Sequence, residues 1–144
     1  MSSVKDILSR KGSSFISVEP DTTVFNALNL MAEKNIGSVI VLTANNEYVG
    51  LVTERDYSRK VILKGKNSTT TQVSEIMTTD LPHVKPEDSV DHCMELMTVN
   101  NVRYLPVFVV DKLSGLISIS DVIKETILAQ QQTISHLENY IHSR

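Results

Sequence analysis

Gly50-Leu51-Val52-Thr53-Glu54-Arg55-Asp56 has a second version in the same chain, Gly115-Leu116-Ile117-Ser118-Ile119-Ser120-Asp121, 115 − 50 = 65 positions further on. Both versions have a glycine, two apolar residues, a hydroxyl residue and, three positions after the hydroxyl, an aspartate. Upstream, Val18-Glu19-Pro20-Asp21-Thr22-Thr23-Val24 is matched by Val84-Lys85-Pro86-Glu87-Asp88-Ser89-Val90, at an offset of 86 − 20 = 66. One residue is therefore lost between the two landmarks, and the chain is a tandem repeat. Two copies of one unit are expected to bury a shared core and leave two related clefts.

Each copy reads as strand, helix, strand, strand, helix. In the first, residues 15–18 are a short extended run, and Val24, Ala27, Leu28 and Met31 lie on one helical face. Residues 38–42 and 48–53 read as strands joined by a turn at Asn45-Asn46-Glu47. A helical pattern over 55–63 closes at Lys64-Gly65-Lys66. The second copy repeats this with Val90, Cys93, Met94 and Met97, strands over 104–110 and 113–118, and a helix from Asp121. Lead-in helices are expected at 4–8 and, correspondingly, at 73–77. The boundaries that follow are 1–66 for copy one, 67–72 for a polar linker loop, 73–128 for copy two and 129–144 for a helical extension. The fold class is α/β (α+β), two pseudo-symmetric β-α-β-β-α repeats packed through their sheets.

Composition narrows the function. At 144 residues with 41% hydrophobic content the chain can bury a real core. A net charge of −3 gives little drive toward nucleic acid or anionic membrane, and the absence of Trp with only 5% aromatics argues against base-stacking platforms. No apolar run approaches the roughly 20 residues needed to span a bilayer. The N-terminus lacks a basic-then-apolar signal pattern, so the expected location is cytoplasmic. The Asn67-Ser68-Thr69 glycosylation pattern then carries no meaning. A lone cysteine excludes an internal disulfide. Cys93 occupies the place of Ala27 on the core face of its helix, which makes it a small buried hydrophobe. No histidine stands at ligand spacing to it, and no metal is expected.

The repeated strand ends carry the chemistry. The hydroxyl of Thr53 or Ser118 sits where a strand stops, and Asp56 or Asp121 falls in the first turn of the next helix. Free amides at such a start favour an anion such as phosphate, and a carboxylate can accept hydrogen bonds from vicinal hydroxyls, as in nucleotide ribose recognition. Plain helix capping accounts for the same residues without a ligand, contributing about 0.5–2 kcal/mol. Spacing alone leaves both readings open.

These strand ends, the two Val-x-Pro-x-x-x-Val segments and Val102-Arg103-Tyr104-Leu105-Pro106-Val107 together resemble a tandem pair of CBS domains (named for cystathionine β-synthase). Thr53-Glu54-Arg55-Asp56-Tyr57-Ser58-Arg59-Lys60 and the C-terminal tail resemble small stand-alone CBS-pair proteins of the signal-transduction or IMP-dehydrogenase-related type. The resemblance implies a non-catalytic regulatory module that binds adenine nucleotides (AMP, ADP, ATP or NAD) in the clefts between the repeats. Asp56 and Asp121 would hold ribose hydroxyls, and Thr53, Ser118 and Ser120 would meet ribose or phosphate. The base would lie near Ile16 in one site and Pro82 in the other, against Ile36, Gly37 and Ser38 or Val102, Arg103, Tyr104 and Pro106. A homodimer and an unidentified effector protein are the implied partners. The alternatives are a structural dimerisation module with vestigial sites and an enzyme of nucleotide metabolism. The enzyme lacks its parts: there is no nucleophile–base pair, no Gly-x-Gly-x-x-Gly and no P-loop.

The copies also differ. Copy one has Gly37-Ser38 where copy two has Arg103-Tyr104, and Arg55 where copy two has Ser120. Each copy thus brings one arginine suited to phosphate, at different positions, and two unequal sites are expected. A surface ion pair is the plainer role for Arg103. Arg59-Lys60 and Lys64-Gly65-Lys66 suit the negative end of the preceding helix. Finally, Ile123, Ile127, Gln130, Ile134, Leu137 and Ile141 are spaced four, three, four, three, four, the seam of a short heptad pattern. It fits a helix lying on its own domain or one packed on a partner chain.

Overall fold

A computed structural model describes residues 2–143. The elements run α1 (Val4–Lys11), β1 (Ser17–Val18), α2 (Val24–Lys34), β2 (Ser38–Leu42), β3 (Tyr48–Thr53), α3 (Glu54–Tyr57), α4 (Val90–Asn100), β4 (Tyr104–Val109), β5 (Lys112–Ser118) and α5 (Ile119–His142). Two short turns of other pitch complete the chain. A wide π-type turn at Ser58–Ile62 continues α3, where one regular helix was expected, and a 3-10 turn covers Val73–Glu75. The lead-in helix expected over 73–77 is thus a single turn.

The chain divides into two compact units that cut across the sequence repeats. One is Ser14–Leu81; the other joins the N-terminal segment through Ser13 to the chain from Pro82 onward. The segment through Ser13, expected within copy one, is therefore part of the second-copy unit, and 73–81, expected within copy two, completes the first.

The backbone shows why each segment belongs where it is. In the first-copy unit the Val24 amide donates to Thr71 O (2.8 Å), the Val73 amide to Thr22 O (2.8 Å) and the Ser74 amide to Pro20 O (3.1 Å). In the second-copy unit the Val90 amide donates to Ser2 O (3.0 Å), the Val4 amide to Asp88 O (2.9 Å) and the Lys5 amide to Pro86 O (2.9 Å). These are the same three bonds, shifted by 73 − 4 = 69 in the lead-in and 90 − 24 = 66 in the helix start. The stretch expected to be a polar linker loop, 67–72, is tied down by them: Thr71 is buried, and its hydroxyl donates to Asn67 O at 2.8 Å.

In the first-copy unit β1 runs parallel to β2, which pairs antiparallel with β3. In the second-copy unit β4 and β5 form an antiparallel pair, and the counterpart of β1 is reduced to a parallel bridge between Val84 and Val107. The two cores match position by position. Val24, Ala27, Met31, Val39, Val41, Val52, Val73 and Ile76 in one correspond to Val90, Cys93, Met97, Leu105, Val107, Ile117, Val4 and Ile7 in the other. Helices α2 and α4 start under the hydroxyls of Thr23 and Ser89 and end at Asn35 and Asn101, both left-handed with φ of 54° and 53°. Cys93 lies within the core as its alignment with Ala27 predicts, and burial, with Asp88 nearby, pushes its thiol up to about 11. It is an inert packing residue at neutral pH.

One polar tie anchors α1. Arg10 donates from Nε (2.9 Å) and Nη2 (3.3 Å) to the two oxygens of Glu125, a buried carboxylate on α5. A fork of this kind satisfies a charge that burial would otherwise penalise.

Candidate functional site

The expected site residues fall into two constellations, each within one unit. In the first-copy unit, β2 and β3 place Ser38 opposite Thr53, and the Glu54 amide at the start of α3 donates to Gly37 O at 3.1 Å. Ile36, half-buried, packs on the core just ahead of them. Ile16 lies beside β2 because its carbonyl accepts from the Ile40 amide at 3.0 Å. In the second-copy unit Tyr104 faces Ser118, and the Ile119 amide donates to Arg103 O at 2.9 Å. Pro106 is buried and its carbonyl accepts from the Val84 amide at 3.0 Å, which brings the lead-in after Pro82 to this strand. Pro82 and Val102 are half-buried. Arg55, Arg103 and Ser120 are exposed, and neither arginine makes an ion pair among the described residues.

Both strand ends are capping boxes. The Thr53 amide (3.0 Å) and hydroxyl (3.1 Å) donate to Asp56 Oδ2, and Thr53 Oγ1 accepts from the Asp56 amide (3.0 Å). The Ser118 amide donates to Asp121 Oδ2 (2.8 Å), and Ser118 Oγ accepts from the Asp121 amide (3.2 Å). The capping role is therefore real in both copies. It also occupies amides expected to be free for an anion: of the first three in each helix, two are bonded, leaving those of Arg55 and Ser120.

Beyond the caps the two aspartates differ. Asp56 Oδ1 accepts from the Thr78 hydroxyl (3.2 Å) and is ion-paired with Lys60, whose Nζ lies 3.0 Å away and donates its hydrogen bond to Ile76 O (2.8 Å). A carboxylate has about four acceptor positions. Thr53 N, Thr53 Oγ1 and Thr78 Oγ1 take three of those of Asp56, and the Lys60 ammonium lies against Oδ1 of this buried side chain. Asp121 receives Lys11 Nζ on Oδ2 at 2.7 Å, and Lys11 donates as well to Leu116 O at 3.0 Å. Its Oδ1 accepts no hydrogen bond from the described residues. Burial works against the charge of Asp121, but the Lys11 ammonium and the Ser118 amide outweigh it and hold the carboxyl below 3.8.

Lys11, Lys60 and Thr78 were not among the expected site residues. Lys60 stands four positions after Asp56, a helical pairing distance that would have flagged it. Thr78 and Lys11 arrive through the exchanged lead-in segments. Lys11 is 121 − 11 = 110 residues from its partner, and no local pattern announces it. Among the described residues no group of three His, Cys, Asp or Glu side chains is placed to hold a metal ion. No described helix is long and apolar enough to cross a membrane.

A pair of β-α-β-β-α units with a hydroxyl–aspartate cap at each strand end is the architecture of a CBS pair. The CBS-domain pattern matches residues 4–62 and 73–127, and the chain belongs to that family. The CBS domain-containing protein CBSX3, mitochondrial, of Arabidopsis thaliana is 34% identical over 146 aligned positions, covering 96% of this chain and 71% of its own length. A solved protein with CBS domains from Burkholderia ambifaria MC40-6 is 44% identical with a TM-score of 0.85, covering 90% of this chain and 96% of its own. The CBS domain pair of protein MJ0100, solved in complex with 5′-methylthioadenosine and S-adenosyl-L-methionine, shares the fold at 23% identity and a TM-score of 0.76, over 86% and 94% of the two chains. CBS pairs bind adenosine-containing ligands and serve in regulation.

Proposed function

We propose that this chain is a non-catalytic sensor that binds an adenine nucleotide (AMP, ADP, ATP or NAD) and works as a cytoplasmic homodimer that passes the bound state to an effector protein. The observation that carries the reading is Asp121: a charged, half-enclosed carboxylate with one oxygen bonded by Ser118 and Lys11 and the other open. That open oxygen suits a ribose hydroxyl, while Arg103, exposed and without an ion pair among the described residues, suits a phosphate. The adenosine compounds bound by the MJ0100 pair support the same ligand class. S-adenosylmethionine fits less well, because it brings no phosphate for an arginine.

The copy-one constellation favours a different reading for itself. With both oxygens of Asp56 engaged, by three hydrogen bonds and the Lys60 ion pair, its strand end is a structural cap, and a ribose would have to displace Thr78 or Lys60. The two copies would then divide into one responsive site around Asp121 and one that is structural or weaker.

Titration calorimetry with AMP, ADP, ATP, NAD and S-adenosylmethionine, with GMP and GTP as controls, tests the proposal. Saturable binding of an adenine nucleotide, lost on Asp121→Ala and on Arg103→Ala, is the expected result. Heat from guanine nucleotides of equal affinity, or none from any nucleotide, counts against it.

A further inference from the structure

The second half of α5 is a helix without a home. Along residues 119–129 the helix packs through Val122 and Glu125, with Thr126 and Ala129 half-covered; from 130 to 143 every residue is exposed. A solitary helix of that length is marginal in water. It is also not polar all round: Ile123, Ile127, Ile134, Leu137 and Ile141 form one stripe, exposed by 46 to 65%, with Gln130 as its single polar member. This stripe is a second face, beside the one already buried against the unit.

We infer that the stripe pairs with the same helix of a second copy, antiparallel and centred on Gln131. The charges argue for both the occupant and the direction. In the heptad frame set by the stripe, the residues flanking its lower edge are Lys124, Gln131 and Glu138. An antiparallel pair brings this edge against itself, so that positions summing to 131 + 131 = 262 meet, and 124 + 138 is also 262. Lys124 of each copy then faces Glu138 of the other, twice over, with Gln131 against Gln131 at the centre. The seam positions lie between the two edges and pair at a sum of 264, which aligns Ile127 with Leu137, Ile134 with Gln130 and Ile141 with Ile123 of the second copy. A parallel pair sets Thr133 against Glu138 and Thr126 against Gln131, with no opposite charges meeting. The chain supplies its own complement in one direction only.

This arrangement rests on the homodimer in the reading above and is independent of which nucleotide binds. The test uses the full chain. Lys124→Cys and Glu138→Cys chains are mixed and oxidised mildly, Cys93 being buried and out of reach. The expected result is a cross-linked heterodimer from the mixture and no cross-link from Ile141→Cys alone. In sedimentation equilibrium, Lys124→Glu is expected to weaken the dimer by roughly 3- to 30-fold, and adding Glu138→Lys to restore it. A chain that stays monomeric overturns both the homodimer and this pairing. A dimer in which Ile141→Cys cross-links to itself, or which ignores the charge reversal, overturns the antiparallel pairing alone.

Discussion

Asp56 and Asp121 occupy the same place in the repeat and do different work. Asp56 is held by three hydrogen bonds and an ion pair inside its unit, so removing it strips a helix cap and leaves Lys60 and Thr78 with no carboxylate to meet. Asp56→Ala is expected to lower stability by about 2–4 kcal/mol, read from urea denaturation. Asp121 has fewer partners and is the ionisation to follow. Its carboxyl is held below 3.8 in the folded chain, so the Lys11 pairing stabilises the fold above that pH and the contribution drains away as the pH falls through the depressed value. The stability gap between the native chain and Asp121→Asn is thus expected to be flat above about pH 5 and to close in more acidic buffer. A gap that widens on acidification would contradict the pairing. The hydroxyl and carboxylate of each cap are visible in the sequence because they recur three residues apart. The partners that make the two sites unequal are not, because Lys11 and Thr78 reach them through tertiary structure.

At the scale of elements, the repeat predicts the helices and strands well wherever apolar spacing is strong, as for α2, α4 and the hairpin strands. It says nothing of the exchange of lead-in segments. Segments 2–11 and 71–78 are short, carry the same pattern and stand at the head of their own copies, so only the fold shows which core they complete. Two substitutions probe the exchange. Ile7 stands at the head of copy one in the sequence but is buried in the second-copy core. Ile7→Ala is expected to cost about 2–5 kcal/mol and to loosen amide protection in β4 and β5 before β2 and β3, as read by hydrogen exchange. Gly50 lies under the other lead-in, where an added Cβ would come within 2.9 Å of Thr78 O and 3.0 Å of Met77 Sδ. Because a backbone oxygen cannot swing aside, Gly50→Ala is expected to destabilise by about 1–3 kcal/mol in thermal melts. Gly115→Ala should be milder, since its nearest neighbour is the Leu8 side-chain tip at 3.1 Å. Equal losses at the two glycines would count against this account of the close approach.

For the whole molecule, the duplication yields two units built on one plan and two constellations that are not equivalent. The proposed adenine-nucleotide ligand is expected at Asp121, with an open oxygen, ahead of Asp56, whose two oxygens are both engaged. The most direct test is the thermal unfolding of the native chain, Asp56→Ala and Asp121→Ala, each with and without saturating AMP, ADP, ATP or NAD. A ligand present at a hundredfold excess over its dissociation constant stabilises by about 2.7 kcal/mol, or on the order of 5–10 °C for a chain of this size. The account predicts such a rise for the native chain with at least one adenine nucleotide, retained in large part by Asp56→Ala from its lower starting point and lost by Asp121→Ala. An unmoved melting temperature with every nucleotide, or a rise that Asp121→Ala keeps and Asp56→Ala loses, would contradict it.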